Sequence, residues 1–241
     1  MNMISDELHE QLIDERPARY TRLRPALCAR QQLGDRWVSF YQCVITLEEA
    51  AKELKLVENL PSDLRSKWKL EELFQREIDW ERVENEIVNG YLRRPEKLKF
   101  FNSLTVALLP VDEKKMLASE YGETPHAPDL KDAFKKAPWE VVNAGGVQIV
   151  RHDKTSHGYF RWDPKRIFPA TIDGQHRLAS LQKIYNDGNL PSVALETKLS
   201  VIFLVLDPRA GFDITKLNLA QEENPILTVV REVFIDLNLH S

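Results

Sequence analysis

The stretch Ile167–Tyr185 reads IFPATIDGQHRLASLQKIY, and the rest of the chain is organised around it. Its first residues are mostly apolar and partly β-branched, which predicts a buried strand. The pair Asp173-Gly174 ends that strand, and apolar residues from Leu178 onward recur at helical spacing. The stretch therefore predicts a strand, a tight turn and a helix.

Two basic residues, His176 and Arg177, fall in the first turn of the predicted helix, where the helix dipole disfavours cations. Their position is understandable if an anion binds there, since the free amides of a helix N-terminus suit a phosphate. We expect Asp173 to cap the helix and Gly174 to let the backbone approach a ligand. The alternative is that Arg177 pairs with Asp173 or another carboxylate and His176 is simply solvated.

The five residues Asp173-Gly174-Gln175-His176-Arg177 resemble the defining motif of the DGQHR-domain family, whose best-known members are DndB-like proteins of bacterial DNA-modification and phage-defence gene clusters. That family resembles a branch of the ParB/sulfiredoxin superfold, in which such a turn holds nucleotide phosphates. The similarity covers roughly Trp37 to the end. The family continues beyond the point where this chain stops at Ser241, which predicts a truncated product or fragment.

The resemblance also implies roles for individual residues. It implies ATP or another nucleotide, with Mg²⁺, as the ligand. Asp173, His176 and Arg177 would form the catalytic group if there is a reaction, with Asp173 orienting a metal-bound water. The implied phosphate- or nucleotide-binding residues are Gly174, Gln175, His176, Arg177, Arg76, Asn102 and Ser103. A surface salt bridge remains the alternative for Arg76, and backbone pairing remains the alternative for Asn102 and Ser103.

Composition constrains the class of protein. A chain of 241 residues can bury roughly 70% of its unfolded surface in one core, so one domain is expected. The net charge of −4 is not the basic balance of a dedicated nucleic-acid binder, so any DNA contact must be local. Cys28 and Cys43 have no metal-ligand spacing, and the chain has neither a signal peptide nor a membrane-length apolar run. We expect a soluble, cytoplasmic protein with no membrane partner.

The one strongly basic stretch lies near the N-terminus, where six arginines between positions 16 and 36 face a single acid, Asp35. Arginine binds phosphate through a bidentate fork, so this segment is the predicted nucleic-acid contact. The residues proposed for it are Arg16, Arg19, Arg22, Arg24 and Arg30. The alternative is a solvated arm or a partner-docking segment. We place the domain boundary here, with residues 1–36 as a helix and basic segment and 37–241 as the DGQHR domain.

The predicted fold is α/β (α+β), a small mixed sheet covered by helices. The strand runs lie near 38–45, 100–109, 147–150, 167–172 and 199–206, and a hairpin is expected around Gly145-Gly146. A capping box at Thr46–Glu49 predicts a helix from Leu47, and Asp79 is the expected cap of a helix over 80–92. Residues 112–140 form a polar excursion with little sheet structure.

Three functions compete. The first is a nucleotide- or phosphate-binding accessory protein of a DNA-modification system, with NTP hydrolysis as a variant. The second is a DndB-like, DNA-binding transcriptional regulator, and the third and remoter is a ParB-like nuclease with Asp173 and Asp236 as Mg²⁺ ligands. The chain has no complete P-loop and no convincing nucleophile–base pair, so the enzyme question stays open. DNA and other proteins of such a complex are the expected partners, and the oligomeric state is open.

Overall fold

A computed structural model of the chain describes residues 19–33, 36–59, 78–124, 130, 132–188, 190, 192–212, 224–226, 228–230 and 232–233. Three of the predicted site residues, Arg16, Arg76 and Asp236, lie outside the described residues.

Eight strands form the centre of the fold. They are β1 (Arg24–Leu33), β2 (Arg36–Thr46), β3 (Leu104–Pro110), β4 (Trp139–Ala144), β5 (Val147–His152), β6 (His157–Trp162), β7 (Ile167–Asp173) and β8 (Lys198–Leu204). They make one sheet in the order β4-β5-β6-β1-β2-β8-β3-β7. The β3–β8 pair is parallel and the other neighbours are antiparallel, so the sheet is mixed.

Helices connect and cover the strands. They are α1 (Leu47–Glu53), α2 (Trp80–Arg82, continued as a π-helix over Val83–Leu92), α3 (Gln175–Asn186) and α4 (Ser192–Leu195). Short 3₁₀ turns occupy Val57–Asn59, Asp132–Phe134 and Pro208–Ala210. α3 packs against α1, α2 and β7, so the turn that precedes α3 is held between the sheet and two helices.

The predicted α+β class with a mixed sheet is confirmed, since all five predicted strand runs belong to the one sheet. The hairpin around Gly145-Gly146 is also present, as β4 and β5. The sheet is larger than the predicted small one because β1, β4 and β6 join it. In the described part of the 112–140 excursion, β4 begins only at Trp139, as the polar composition predicted.

The sequence predicted neither β6 nor β1, and β1 lies within the arginine segment. It pairs with β2 on one side and β6 on the other, so it is a central strand of the sheet. The predicted boundary after residue 36 therefore falls within the sheet, after the first residue of β2. β6 pairs with β1 and β5 and likewise lies in the interior of the sheet.

The helix over 80–92 forms at its predicted place but with a different winding. Asp79 caps it, because its carboxylate accepts a hydrogen bond from the Arg82 amide at 2.8 Å. From Val83 the backbone bonds follow the i→i+5 pattern of a π-helix. Val83 and Val88 are consequently its fully buried residues, five positions apart, in place of the four-residue stripe expected of an α-helix.

β7 forms one edge of the sheet, and a single residue after α1 covers part of it. The Lys55 amide donates to the Pro169 carbonyl at 3.0 Å, and the Thr171 amide donates to the Lys55 carbonyl at 2.9 Å. Lys55 therefore forms an isolated parallel bridge with Ala170. These bonds fix the chain after α1 against the strand that leads to the turn.

Candidate functional site

The candidate site is the turn between β7 and α3. Asp173 is the last residue of β7 and pairs with Thr105 at the start of β3. Gly174 follows with φ 84° and ψ 23°, a left-handed conformation. A Cβ at Gly174 would lie 2.5 Å from Leu104 Cδ2 and 2.9 Å from Arg177 Nη2, so the left-handed conformation favours glycine and a larger residue would force the ends of these two side chains to move.

The N-terminus of α3 is capped by Gly174 and not by Asp173, so that prediction is wrong. No side chain caps the helix, and the first helical hydrogen bond runs from the Leu178 amide to the Gly174 carbonyl at 2.9 Å. The amides of residues 175–177 precede that bond and have no acceptor within the helix. The physical reason is that β7 extends through Asp173, which moves the cap one residue later.

The Arg177 guanidinium is fixed by three contacts inside the protein. Its Nη1 donates to the carbonyl oxygens of Asn102 at 2.7 Å and Ser103 at 3.2 Å. Its Nη2 donates to Asp173 Oδ2 at 3.1 Å. The ion pair with Asp173 was the alternative to anion binding, and it is present. The Asp173 side chain is 47% exposed, so this pair sits at the surface and its guanidinium edge faces the turn.

His176 connects the turn to α2. Its Nε2 accepts a hydrogen bond from the Asp79 amide at 3.1 Å, which requires a neutral ring with the proton on Nδ1. The predicted donation from His176 to an anion must therefore come from Nδ1. Asp79 thus has two roles, because its amide meets His176 while its carboxylate caps α2.

The other predicted phosphate residues take different positions. Asn102 and Ser103 do lie beside Arg177, but their carbonyls make the contact. The Ser103 hydroxyl turns away and bonds the Ser200 hydroxyl at 2.8 Å. Gln175 begins α3 at the turn. The structure thus brings residues 102–103 and 173–177 together, largely through backbone atoms.

The predicted nucleic-acid arginines are mostly engaged within the fold. Arg24 is 3% exposed, and its Nη2 lies 2.7 Å from Glu53 and 3.3 Å from Glu49. Its guanidinium also stacks on the Trp162 ring. An internal ion pair therefore replaces the predicted DNA contact of Arg24.

Two further members of that set have internal partners as well. Arg19 pairs with the buried Asp163 at 2.5 Å, and the exposed Arg30 lies over the Trp37 ring at 4.3 Å. Arg22 is half-buried and lies two residues before β1. The described arginines thus anchor the sheet more than they form a continuous basic surface.

The two cysteines, Cys28 and Cys43, form no disulfide. Burial raises the pKa of the Cys28 thiol to about 11 and that of Cys43 to about 12, so both stay protonated at neutral pH. Among the residues that the structure describes, no group of three or more His, Cys, Asp or Glu side chains is placed to hold a metal ion.

Comparisons with protein-family models, with curated proteins and with solved structures gave no match to this chain. In the described part of the chain, every helix is too short or too polar to span a bilayer.

Sequence reasoning located the turn but not its anchors. Asp79 is 97 residues from His176 in sequence, and Leu104 is 70 residues from Gly174, so no local pattern links them. The one available signal was the glycine itself. A glycine directly after a strand and before a helix indicates a left-handed residue with a close neighbour.

Proposed function

We propose that this protein binds a phosphate-bearing ligand, a nucleotide or a phosphate group, at the turn formed by residues 173–177. The observation that carries the proposal is the α3 N-terminus, which has a glycine cap, no capping side chain and a fixed guanidinium beside it. Such a terminus combines amide donors with a positive dipole end, which together favour an anion.

The contacts of Arg177 support this function as well as a structural one. The carbonyls of Asn102 and Ser103 fix one nitrogen of the guanidinium, so the group is oriented before any ligand arrives. The other nitrogen contacts the half-exposed Asp173, and a surface pair of this kind contributes about 1 kcal/mol or less. A phosphate could therefore compete for that edge at small cost.

The biological role that we attach to the site is that of an accessory component of a bacterial DNA-modification or phage-defence system, with NTP hydrolysis as a variant. It rests on the resemblance of residues 173–177 to the DGQHR motif. The ParB/sulfiredoxin-like fold is part of the same proposal. The mixed sheet, with β7 leading through a turn into α3, is compatible with it.

The test is an Arg177→Ala variant, followed by calorimetric titration with inorganic phosphate and with nucleoside mono- and triphosphates. Binding should be lost. The free energy of unfolding, measured by urea denaturation, should fall by only about 1–2 kcal/mol, because the lost contacts are two hydrogen bonds to carbonyls and a surface ion pair. Phosphate release by the wild-type protein, measured without DNA, decides whether the site also hydrolyses the ligand.

The matched control is Arg93→Ala. Arg93 also donates to an aspartate, Asp187, and to an amide oxygen, Asn89, but at the far end of α2 and α3. It should leave binding unchanged. Wild-type affinity in Arg177→Ala together with a large fall in melting temperature would make Arg177 a structural tether only.

A second candidate function, DNA binding, is favoured by the loop of residues 93–101. Leu98 is 90% exposed and Phe100 is 78% exposed, and the basic residues Arg94, Lys97 and Lys99 are interleaved with them. Exposed apolar side chains among cations suit the bases and phosphates of a single strand.

This loop is ordered by the Tyr91 hydroxyl, which donates to the Leu98 carbonyl at 2.9 Å and accepts from the Phe100 amide at 2.7 Å. It leads directly into Asn102, the partner of Arg177. A DNA-binding regulator would therefore contact DNA here and not through the arginine segment.

Fluorescence anisotropy with a labelled single-stranded oligonucleotide tests this candidate. Phe100→Ser should weaken binding, and Lys97→Gln should lower the slope of log affinity against log salt by about 0.7. Lys154→Gln, in the exposed β5–β6 turn, is the control. The same affinity and slope in all three variants would exclude the loop.

A further inference from the structure

A second concave site lies at the opposite end of β7 from the turn. A cavity of about 440 Å³ opens between the end of α1, the turn after β3 and the start of β7. Its apolar wall is formed by Val111, Trp162, Ile167, Phe168 and Pro169. Residues 170–173 of β7 separate Pro169, the last residue of the strand in the lining, from Gly174, which at ~3.3 Å per residue is roughly 16 Å.

Charged side chains complete the lining of this cavity. Three are lysines, Lys52, Lys55 and Lys115, and one is an acid, Glu53. The Glu53 carboxylate lies 2.7 Å from the buried guanidinium of Arg24, which it shares with Glu49. The lining thus carries an excess of positive charge.

Two of the lysines contact only carbonyl oxygens among the described residues. Lys55 Nζ donates to the Lys52 carbonyl at 3.3 Å. Lys115 Nζ donates to the Lys165 carbonyl at 2.7 Å and lies 3.4 Å from that of Pro164. Carbonyls satisfy some donors of an ammonium group but do not neutralise its charge, whereas Lys52 has Glu48 as an ion-pair partner.

The backbone at Lys115 is unusual. Its φ is 65°, the one positive value recorded for a residue other than glycine in the described chain. Asp112 holds the turn, because its carboxylate accepts from the amides of Lys114 and Met116. A non-glycine residue in this conformation is uncommon, and such outliers concentrate at ligand sites. Here the outlier is a residue that lines the cavity.

We propose that this cavity binds a small organic anion, with a flat or aliphatic body against the apolar wall and a phosphate or carboxylate group between Lys55 and Lys115. The volume and the mostly apolar lining with a few polar groups are those of small-molecule sites. Asn59, which also lines the cavity, adds an amide for orientation. The site shares no residue with the turn, so it goes beyond the proposed function.

The first experiment uses two dyes with the same aromatic body. 1-Anilinonaphthalene-8-sulfonate carries an anionic group and N-phenyl-1-naphthylamine does not. Fluorescence titration should show that the sulfonate binds at one saturable site at least about tenfold more tightly than the neutral dye, and that salt weakens it. Equal affinities for the two dyes would overturn the proposal, because the protein would then offer only an apolar surface.

The second experiment removes charge at constant length. Lys55→Gln and Lys115→Gln should each weaken sulfonate binding roughly fivefold, as expected for the loss of a charge-assisted contact. Lys165→Gln removes an exposed charge from the adjacent turn without touching the lining, and it should bind as the wild type does. Melting curves confirm that each variant is folded. Folded lysine variants with wild-type affinity would refute the site.

The third experiment identifies the anionic group and separates this site from the turn. In Arg177→Ala, sulfonate affinity should be unchanged, and displacement by adenosine 5′-monophosphate or by benzoate then distinguishes a phosphate ligand from a carboxylate ligand. Displacement by either supports the proposal, and displacement by neither contradicts it. Loss of sulfonate binding in a folded Arg177→Ala variant would show that the dye reports the turn instead.

Discussion

The N-termini of α1 and α3 are built in opposite ways. At α1 the Thr46 hydroxyl accepts from the Glu49 amide at 3.1 Å, and the Glu49 carboxylate accepts from the Thr46 amide at 2.9 Å. At α3 the cap is Gly174, which offers no side chain. A helix terminus whose amides are satisfied by its own side chains is complete, whereas one without such a cap has donors for another partner.

The difference extends to the surrounding charges. Glu49 of the α1 cap also lies 3.3 Å from the buried Arg24, so this terminus is tied into the core. Arg177 at α3 has 22% of its side chain exposed and pairs with the half-exposed carboxylate of Asp173. An arginine–carboxylate pair thus stabilises the fold at the N-terminus of α1, whereas at the N-terminus of α3 it belongs to the candidate ligand site.

Replacing Arg24, which holds the N-terminus of α1 against the core, should cause the largest loss of stability. Arg24→Met removes the buried cation that Glu49 and Glu53 share, and the expected loss is about 3 kcal/mol in the free energy of unfolding, the lower end for a buried pair because both glutamates keep some exposure. Urea denaturation measures it. Arg30→Met, an exposed position on the same strand, should cost about 0.5 kcal/mol or less. Similar losses for the two variants would contradict the buried pair.

Gly174→Ala, at the N-terminus of α3, should cause the second largest loss of stability. The left-handed backbone disfavours alanine by roughly 1–2 kcal/mol, and the clash with Leu104 adds to that, for an expected total of about 2–3 kcal/mol. Gly188→Ala is the matched control, since its φ is also positive, at 70°, but nothing lies within 4 Å of the added carbon. It should cost about 1 kcal/mol, and equal costs would mean that the close approach at Gly174 is unimportant.

A pair of smaller changes compares the two caps directly. Thr46→Ala removes a capping hydroxyl and should cost about 1 kcal/mol. Asp173→Ala removes only a surface ion pair and should cost about 0.5 kcal/mol or less. Thermal melting of both variants measures the difference. A larger loss for Asp173→Ala would restore that residue to a capping role.

The smallest expected effect is on how the free energy of unfolding depends on pH, through Glu49 at the N-terminus of α1. Burial acts to raise the pKa of Glu49, but the Thr46 amide and Arg24 outweigh it, and the pKa lies below its usual value. A lowered folded-state pKa contributes stability above the unfolded pKa, and that stability is lost as the pH falls through the folded value. Glu49→Gln should therefore flatten the fall in unfolding free energy below about pH 5. If the free energy of unfolding falls below pH 5 as steeply in the variant as in the wild type, the pairing of Glu49 with Arg24 is contradicted.

The sequence predicted the elements around the turn well because their signals are local. β7, α3 and the capping box of α1 each follow from residues within a few positions of one another. β1 was missed because its inward residues include Arg24, Ala26 and Cys28, which do not give the apolar alternation of a strand. Its charged residue is buried only because Glu49 and Glu53 come from another element.

The strand, turn and helix around the motif were predicted correctly, whereas the contacts made there were not. The motif located the glycine, the arginine and the strand–turn–helix. It could not show that Arg177 binds the carbonyls of residues 102 and 103, or that His176 accepts from Asp79, because these partners are far away in the sequence. The sequence also did not predict the π-helical winding of α2, since its residues suit an α-helix equally well.

The bridge between Lys55 and β7 bears on how this protein avoids self-association. An exposed edge strand presents unpaired amides and carbonyls to strands of other molecules. Here Lys55 takes the Pro169 carbonyl and the Thr171 amide, and Pro169 has no amide proton of its own to offer. A lysine and a proline are thus placed at the middle of the edge. We therefore expect the sheet to end at β7 and not to extend into a neighbouring copy along that side.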